Sequence, residues 1–442
     1  MKEIVMLLIV VLLVLPVHAA GSEVFEKVLD NGLKVLVIED HKSPAATFQV
    51  WYRVGSRNET IGKSGLSHFL EHMMFKGTEV FGPKTFSQTI ERAGGMDNAF
   101  TTNDYTAYFE KLAPDRLNMA ITMEADRMEG LLLPPKDVLS ERDVVMEERR
   151  MRYEDDPQSV VFEEVAAAAF KNYPYRWPVI GWMEDIKNYT RDDILHYYRT
   201  YYIPNNAFIV VAGDVETEKI VKAIEDAFGR IPRGPEPPAQ TVQEPPQHGQ
   251  RRVYVRKEAK LPYVLAAYKV PSIPDEESYA LDVLSTILSY GKSSRLYNSL
   301  VHQKQLAIEA GADYDSLNIG PSLFYLYGTP APGKSVKVLE NAIYEEVKRI
   351  QQTPPSPQEM QKAINQSEAG LIMGQDSIFY QAQLTAVFEV VAGWQLKDKY
   401  LDKIRAVTPE QVSRAATKYL VPENCTVGIL IPVENTNKKQ TL

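Results

Sequence analysis

Cysteine is almost absent from this sequence, since Cys425 is the only one in 442 residues. A single thiol cannot form a disulfide within the chain, and it cannot build a zinc cluster from cysteine ligands. A metal site in this chain therefore has to use histidine and carboxylate side chains.

An excess of positive charge is also missing. Lys and Arg together number 49 against 58 Asp and Glu, which gives a formal net charge of −9. A chain with this balance and no basic tract is a poor match for nucleic acid or for an anionic membrane surface. The composition therefore argues against both classes of partner.

The chain also lacks an apolar run long enough for a comfortable membrane span, which needs about 20 residues. The apolar segment at the N-terminus, 4–17, follows Lys2 and precedes the small residues Ala19 and Ala20. This pattern predicts a secretory signal peptide over 1–19 that is cleaved after Ala19. The mature chain is then expected to be periplasmic or secreted, with no stable membrane span. An uncleaved anchor is the alternative.

Proline is concentrated in the segment 231–250, which reads IPRGPEPPAQTVQEPPQHGQ. Because proline fixes φ and removes a backbone donor, this composition predicts a linker rather than a helix or a strand. The linker divides the mature chain into two halves of similar size, 20–230 and 251–442. We predict that each half is a domain.

The ends of the two halves repeat one another. The segments that begin at Thr190 and Thr408 both read as a capping threonine, a helix, a Pro-Asn turn and an apolar strand. Four identities coincide without a gap: Thr190 with Thr408, Tyr201 with Tyr419, Pro204 with Pro422, and Asn206 with Asn424. The shared order favours a duplication over chance.

Strands and helices are mixed within each half. Residues 32–38 and 46–52 alternate like strands, while 116–129 and 136–154 carry apolar residues at helical spacing. Hairpin-like strands followed by helices favour an α+β fold. We therefore predict two tandem homologous domains, each a mostly antiparallel sheet with helices packed on one face.

The residues that can carry chemistry are concentrated in the segment 65–77. Its apolar residues fall on one helical face, and His68, Glu71 and His72 fall at i, i+3 and i+4 on a second face. Imidazoles one turn apart can bind one metal ion at about 2.0–2.1 Å from each nitrogen. Glu71 then lies beside the metal, where it can act on a metal-bound water. The alternative is a chance spacing of histidines, which rarely produces the complete pattern.

Two histidines leave a catalytic zinc one protein ligand short. No other histidine repeats a ligand spacing, so a carboxylate is expected as the third ligand. The largest supply is the charged run 141–150 on a predicted helix, which includes Glu141, Glu147 and Glu148. Composition alone does not choose among them, because most of such a run is normally a solvated helix face.

The chain resembles the pitrilysin, insulinase and mitochondrial-processing-peptidase family of inverzincins. The resemblance rests on the His-x-x-Glu-His pattern, on GGMDNAFTTNDYTAYF from Gly94 and on ERDVVMEE from Glu141. It implies one zinc per chain, held by His68, His72 and Glu148, the last lying 76 residues after His72. It also implies that Glu141 assists catalysis by orienting the site from outside the ligand set.

The same resemblance implies a zinc metalloendopeptidase. Glu71 would take a proton from the zinc-bound water and later pass it to the leaving amine. In the family the substrate pairs with an edge strand by strand addition, and the matching edge here would be formed by Asn98, Ala99, Phe100 and Thr101. From the sequence alone, an ordinary hairpin rim is the simpler interpretation of these four residues.

The second half departs from the family pattern. It has no His-x-x-Glu-His, which predicts a non-catalytic domain, and it lacks a substrate-binding Arg followed seven residues later by a Tyr in the expected region, 320–330. The one pair at that spacing in this half, Arg256 and Tyr263, lies on its first predicted strand. We hypothesise that a homologous partner without the zinc motif supplies the pair. In the alternative, Tyr325 or Tyr327 substitutes locally.

Family members of similar length work as dimers that enclose a chamber. A homodimer or heterodimer that acts on peptides or unfolded protein is therefore expected. Two other classes of function remain: a non-catalytic scaffold or assembly protein of the same fold, and an exported peptide-binding protein. Neither explains why a potential base lies beside two potential metal ligands.

Overall fold

The computed structural model describes residues 23–433. The predicted signal peptide, 1–19, lies outside the described residues. Within 23–433, none of the helices combines the length and the hydropathy that a membrane crossing requires.

The two halves are built from similar series of elements. The first half runs β1 (Val24–Val28), β2 (Lys34–Glu39), β3 (Ala46–Tyr52), α1 (Leu66–Met73), α2 (Thr85–Arg92), β4 (Met96–Thr101), β5 (Thr106–Leu112), α3 (Leu117–Gly130), α4 (Pro135–Arg149), α5 (Pro157–Ala169), α6 (Met183–Lys187), α7 (Arg191–Tyr201), β6 (Ala207–Gly213) and α8 (Thr217–Phe228). The second half runs β7 (Arg251–Glu258), β8 (Tyr263–Val270), α9 (Glu277–Ser289), β9 (Ala307–Tyr314), β10 (Ser322–Pro330), α10 (Val336–Gln352), α11 (Pro357–Gly374), α12 (Ile378–Val391), α13 (Leu396–Arg405), α14 (Pro409–Tyr419) and β11 (Cys425–Val433).

Most of the predicted elements are confirmed within a few residues. The strand predicted at 46–52 is β3, and the strand predicted at 32–38 is β2. The helix predicted at 116–129 is α3. The long helix predicted at 136–154 is α4 followed by a π-helical turn, Arg150–Glu154. The Pro-rich segment 231–250, all of it within the described chain, contains no helix or strand.

Each half contains one sheet, and the five strands of the second sheet follow the same order as five strands of the first, which has β1 as an additional edge strand. The first is β1-β2-β6-β3-β5-β4 and the second is β7-β11-β8-β10-β9. Only the pairs β2–β6 and β7–β11 are parallel among the described strands. The last strand of each half lies between the same two neighbours. The predicted α+β fold with two tandem, mostly antiparallel sheets is confirmed.

The predicted repeat extends to individual hydrogen bonds. Thr190 and Thr408 both form a capping box at the start of a helix, α7 in one half and α14 in the other. The Nδ2 of Asn206 donates to the Tyr201 carbonyl at 2.9 Å, and Asn424 makes the equivalent bond at 3.0 Å. The repeated residues therefore fix the same helix-to-strand turn in both halves.

Each half also contributes one helix to the other half. Helix α5 packs its Val161 and Val165 against Leu265 and other buried residues of the second sheet. Helix α12 packs on the face of the first sheet that carries Trp51 and Phe208, which are fully buried. Both sheets are thus covered on two faces. One face packs mainly against helices of the same half, and the opposite face packs against a helix of the other half.

Candidate metal centre

The histidines lie on α1, a helix whose start is fixed by buried contacts. Glu59 accepts hydrogen bonds from the backbone N–H groups of Gly65 and Ser67, at 2.6 and 2.8 Å. Gly65 has φ of 89°, and a Cβ there would lie 2.3 Å from the Ile180 carbonyl oxygen. Only glycine fits this approach. The apolar face of α1 is buried, which turns its polar face toward α4.

Helix α4 brings Glu148 to the two histidines. The Oε2 of Glu148 lies 3.3 Å from the Nε2 of His72 and 3.7 Å from the Nε2 of His68. The three possible ligand atoms all lie within 4.8 Å of one another. No other group of three such side chains is found within residues 23–433. These three residues could hold a metal ion.

The donor chemistry of this group fits zinc. Two imidazole nitrogens and one carboxylate oxygen form the protein ligand set of several catalytic zinc sites, which leave one position open. Burial and the neighbouring His72 lower the pKa of His68 to about 4, which keeps its ring neutral and able to bind a metal.

Glu141 fixes the orientation of His72. Its Oε1 lies 2.9 Å from the Nδ1 of His72, and its other oxygen pairs with Lys76. Burial opposes a charged ring, but the hydrogen bonds to Glu141 and Glu148 raise the pKa of His72 to about 9. With Nδ1 engaged by Glu141, the Nε2 of His72 faces the carboxylate of Glu148.

Glu147, the neighbouring carboxylate, lies away from the histidines. Its Oε2 pairs with Arg150 at 2.8 Å, and its side chain is 61% exposed. Of the two carboxylates between which composition does not choose, Glu148 lies with the histidines and Glu147 does not.

Glu71 is joined to the sheet edge by a hydrogen bond. Thr101 on β4 donates from Oγ1 to the Oε2 of Glu71 at 2.6 Å. Burial raises the pKa of Glu71, and the Thr101 bond partly opposes the rise. A carboxyl with a raised pKa beside the histidine pair is suited to proton transfer.

Strand β4 is the outer strand of the first sheet, as the resemblance implied. Ala99 contacts the core on the α1 side, whereas the Phe100 ring packs on the opposite face against Trp51, 5.5 Å between centroids. Asn98 accepts a hydrogen bond from the backbone of Ala99. The side chains of Asn98, Ala99 and Phe100 therefore do not form one surface, and a bound peptide would meet mainly their backbone groups.

Two contacts of this site were not predicted. Nη1 of Arg152 forms an ion pair with Oε1 of Glu148 at 3.0 Å, and Lys76 forms an ion pair with Glu141. The sequence does contain a signal for Arg152, since it lies four residues after Glu148 and such residues share a helix face. Lys76 lies beyond the end of α1 at Met73, and its partner Glu141 is distant in sequence, so no local spacing indicates this second contact.

The second half offers no counterpart to these ligands among its described residues. Arg256 is exposed on β7. Tyr325 packs against Phe162 of α5, with 5.3 Å between ring centroids, and Tyr327 packs against Tyr263 at 6.3 Å. The tyrosines thus lie on the face of the second sheet that α5 covers in part.

Comparisons with known proteins identify the family of this chain. The sequence model described as insulinase, peptidase family M16, matches residues 34–181, and the model described as peptidase M16 inactive domain matches residues 188–367. The chain belongs to peptidase family M16. The resemblance stated from the sequence is confirmed. The second matched model begins at residue 188, before the Pro-rich segment 231–250, and extends across it.

The relatives in family M16 are named as proteases. Zinc protease PqqE of Helicobacter pylori is 33% identical over 408 residues, which are 91% of this chain and 92% of the relative. The probable mitochondrial-processing peptidase subunit beta of Arabidopsis thaliana is 27% identical over 92% of this chain and 78% of its own. A crystal structure of a protease from Helicobacter pylori has a TM-score of 0.89 at 32% identity and covers 93% of this chain and 100% of that chain. At the level of the family, the chain is a member of a group of zinc proteases.

Proposed function

We propose that this chain is a zinc metalloendopeptidase that hydrolyses peptides or unfolded polypeptides. The proposal rests on the proximity of His68 and His72 on one helix to Glu148 on another. Glu71 lies beside this group and is held by Thr101. A scaffold or a peptide-binding protein would not need a carboxyl held next to this group of ligands.

The proposed roles follow from the contacts. Zinc bound by the three ligands would supply a Lewis acid and lower the pKa of a water. Glu71, held by Thr101, accepts a proton during attack on the peptide and returns it to the leaving amine. Glu141 holds the His72 ring with its Nε2 toward the other two ligands.

We propose that the substrate pairs with the free edge of β4. An edge strand presents unpaired N–H and C=O groups that an extended peptide can satisfy. The edge at 98–101 ends at Thr101, which contacts Glu71. Because only an extended segment can pair in this way, the site favours unfolded chains and short peptides over folded proteins.

A homologous partner is proposed to complete the site. The second half contains no Arg followed by Tyr at the family spacing except Arg256 and Tyr263, and Arg256 is exposed on β7. A dimer with a subunit that lacks the zinc motif would supply the missing pair and enclose a chamber. A homodimer that uses Tyr325 or Tyr327 is the alternative.

The compartment follows from the N-terminal pattern. We propose that 1–19 are removed on export and that the mature chain acts in the periplasm or outside the cell. N-terminal sequencing of the exported protein should begin at Ala20. A mature chain that still begins at Met1 would contradict cleavage and favour the retained anchor.

The metal assignment is tested by elemental analysis of the purified protein. We expect one zinc per chain in the wild type and in Glu147→Gln, and loss of zinc in His72→Ala and Glu148→Gln. Glu147→Gln is the matched control because it removes the adjacent carboxylate, which pairs with Arg150 instead. Zinc retained by Glu148→Gln and lost by Glu147→Gln would reverse the assignment.

The proposed partner is tested by hydrolysis of an unfolded polypeptide with and without the candidate homologous subunit. If the site is split between subunits, the zinc-loaded chain alone should cleave slowly, and the partner should raise the rate by at least tenfold. Full activity of the isolated chain would contradict the split site and support the homodimer.

A further inference from the structure

Arg152 lies at the candidate site and has no role in the function proposed so far. We infer that Arg152 is the cation that this chain brings to the substrate: its guanidinium contacts the carbonyl oxygen of the scissile peptide bond as negative charge develops there. The inference rests on the proposed function and adds a substrate-contacting residue to it.

The carboxylate of Glu148 joins Arg152 to the metal ligands. One oxygen of Glu148 faces the histidine pair, at 3.3 Å from His72 and 3.7 Å from His68. The other oxygen lies 3.0 Å from Nη1 of Arg152. The guanidinium is therefore one carboxylate away from the position where the metal would bind.

The backbone after α4 places Arg152 there. The helix ends at Arg149 and continues as the π-helical turn 150–154. Arg149 anchors this turn, because its two Nη atoms bind both oxygens of Glu163 at 3.0 and 2.9 Å. A π-helical turn is rare and is often found at functional sites.

Among the four cationic side chains near the site, that of Arg152 is the most exposed. Lys76 is held by Glu141, Arg149 by Glu163, and Arg150 by Glu147. Among the described residues, Glu148 is the one carboxylate in ion-pair range of Arg152, whose side chain is 70% exposed. The exposed guanidinium can thus donate hydrogen bonds to a ligand.

The balance of charge explains why a cation is useful at this place. The charges of a divalent metal, Glu148 and Glu71 sum to zero when both carboxylates are ionised. When Glu71 takes a proton during attack, its negative charge is transferred to the peptide, so the sum stays zero while the charge moves to the carbonyl oxygen. A cation beside that oxygen stabilises the charge in its new position. When Glu148 donates its electrons to a metal, it attracts Arg152 less strongly, and the guanidinium becomes available to the carbonyl oxygen.

The test measures binding rather than turnover. The full chain is loaded with zinc, and the binding of a phosphinic peptide, whose charged tetrahedral group resembles the attacked carbonyl, is measured by calorimetry. Arg152→Gln should weaken this binding by about 100-fold. Arg152→Lys should restore part of the loss, and added guanidinium ion at millimolar concentration should restore part of it in Arg152→Gln.

Matched controls separate this effect from a structural one. Arg150→Gln removes the charge of a residue in the same turn that pairs with exposed Glu147, and it should bind the phosphinic peptide as the wild type does. In the Glu71→Gln background, an ordinary peptide substrate should bind equally well, within about threefold, with and without Arg152→Gln. Weaker binding of the phosphinic peptide together with unchanged binding of the ordinary peptide would show that Arg152 contacts the charged, tetrahedral form of the substrate.

Three results would overturn the inference. The first is that Arg152→Gln binds the phosphinic peptide like the wild type. The second is that Arg152→Gln loses only zinc affinity and binds the peptide normally at saturating zinc. In both cases the zinc site stands and Arg152 has no direct role. A wild-type chain that binds no zinc would remove the proposed function and this inference together.

Discussion

At the residue scale, one hydrogen bond joins the proposed base to the strand where substrate would pair. Thr101 is the last residue of β4 and donates to Glu71 at 2.6 Å. Peptide pairing along β4 would hold Thr101 in place, and Thr101 would hold Glu71. Substrate binding and placement of the base are therefore coupled through one side chain.

Replacing Thr101 by valine should lower kcat by about 10- to 100-fold, because a hydrogen bond to a charged group contributes about 1.5–3 kcal/mol. Zinc content should not change, and Thr101→Ser should recover most of the rate. Thr47→Val is the control, since Thr47 donates to the Glu110 carbonyl on the sheet face that α12 covers. A rate loss as large in Thr47→Val would indicate a general structural effect.

A second residue-scale prediction concerns Asp282 in the second half. Burial raises its pKa to about 7, although Tyr400 donates to it at 2.9 Å. The carboxyl is then protonated in the folded chain and ionised in the unfolded chain between about pH 4 and pH 7. Its contribution to stability is present below this window and is lost as the pH rises through it.

Asp282→Asn should therefore gain stability relative to the wild type as the pH rises from about 4 to about 7, by up to roughly 1.4 kcal/mol per pH unit. Thermal unfolding at several pH values measures the difference. The exposed Asp376→Asn should show no such trend. A constant difference between Asp282→Asn and the wild type across the window would contradict the raised pKa.

Some of these residues could be predicted and others could not. His68, Glu71 and His72 share one helix, so local spacing predicts their common face. Glu148 comes from another helix, and only a family resemblance could single it out before the structure. The outward turn of the Phe100 ring depends on contacts with residues distant in sequence, which no local pattern contains.

At the element scale, the main finding is the exchange of α5 and α12 between the halves. The sequence predicts helices and strands well because their signals are local, and it predicts the repeat because the same caps and turns recur. It does not show which sheet an apolar helix face covers. Val161 and Val165 would show the same apolar spacing in the sequence whether α5 packed on the first sheet or on the second.

The packing of α5 on the second sheet can be tested at Gly428 of β11. A Cβ at this position would lie 2.4 Å from a methyl group of Val165 and 2.7 Å from one of Val161. Gly428→Ala should reduce the free energy of unfolding by about 1–3 kcal/mol. Gly370→Ala, in α11 with open space around it, should instead raise it by about 0.5–1 kcal/mol. Chemical denaturation measures both, and a stabilised Gly428→Ala would contradict the packing.

At the scale of the whole molecule, the halves depend on one another. The Pro-rich segment is bound to both halves through Glu244. This carboxylate accepts hydrogen bonds from the backbone of Lys171, Asn172 and Tyr173 in the first half. It also forms an ion pair with Lys269 in the second half. The segment between the halves is therefore held against both of them.

This dependence predicts that the first half will not fold alone. A fragment 20–230 lacks α12 and would expose the face that carries Trp51 and Phe208. Circular dichroism should show no cooperative unfolding for the fragment, and co-expression with 251–442 should recover it. A stable, cooperatively unfolding fragment would show that the helix exchange is not needed for stability.

The central claim is that this chain hydrolyses peptide bonds with Glu71 as the base. The most direct measurement is cleavage of an unfolded polypeptide by zinc-loaded wild type and Glu71→Gln, each with the candidate partner, followed by mass spectrometry of the products. We predict internal cleavage by the wild type and a loss of at least 100-fold in Glu71→Gln, with equal zinc content in both. Equal cleavage by the two proteins, or no cleavage by a zinc-loaded wild type with its partner, would contradict the account.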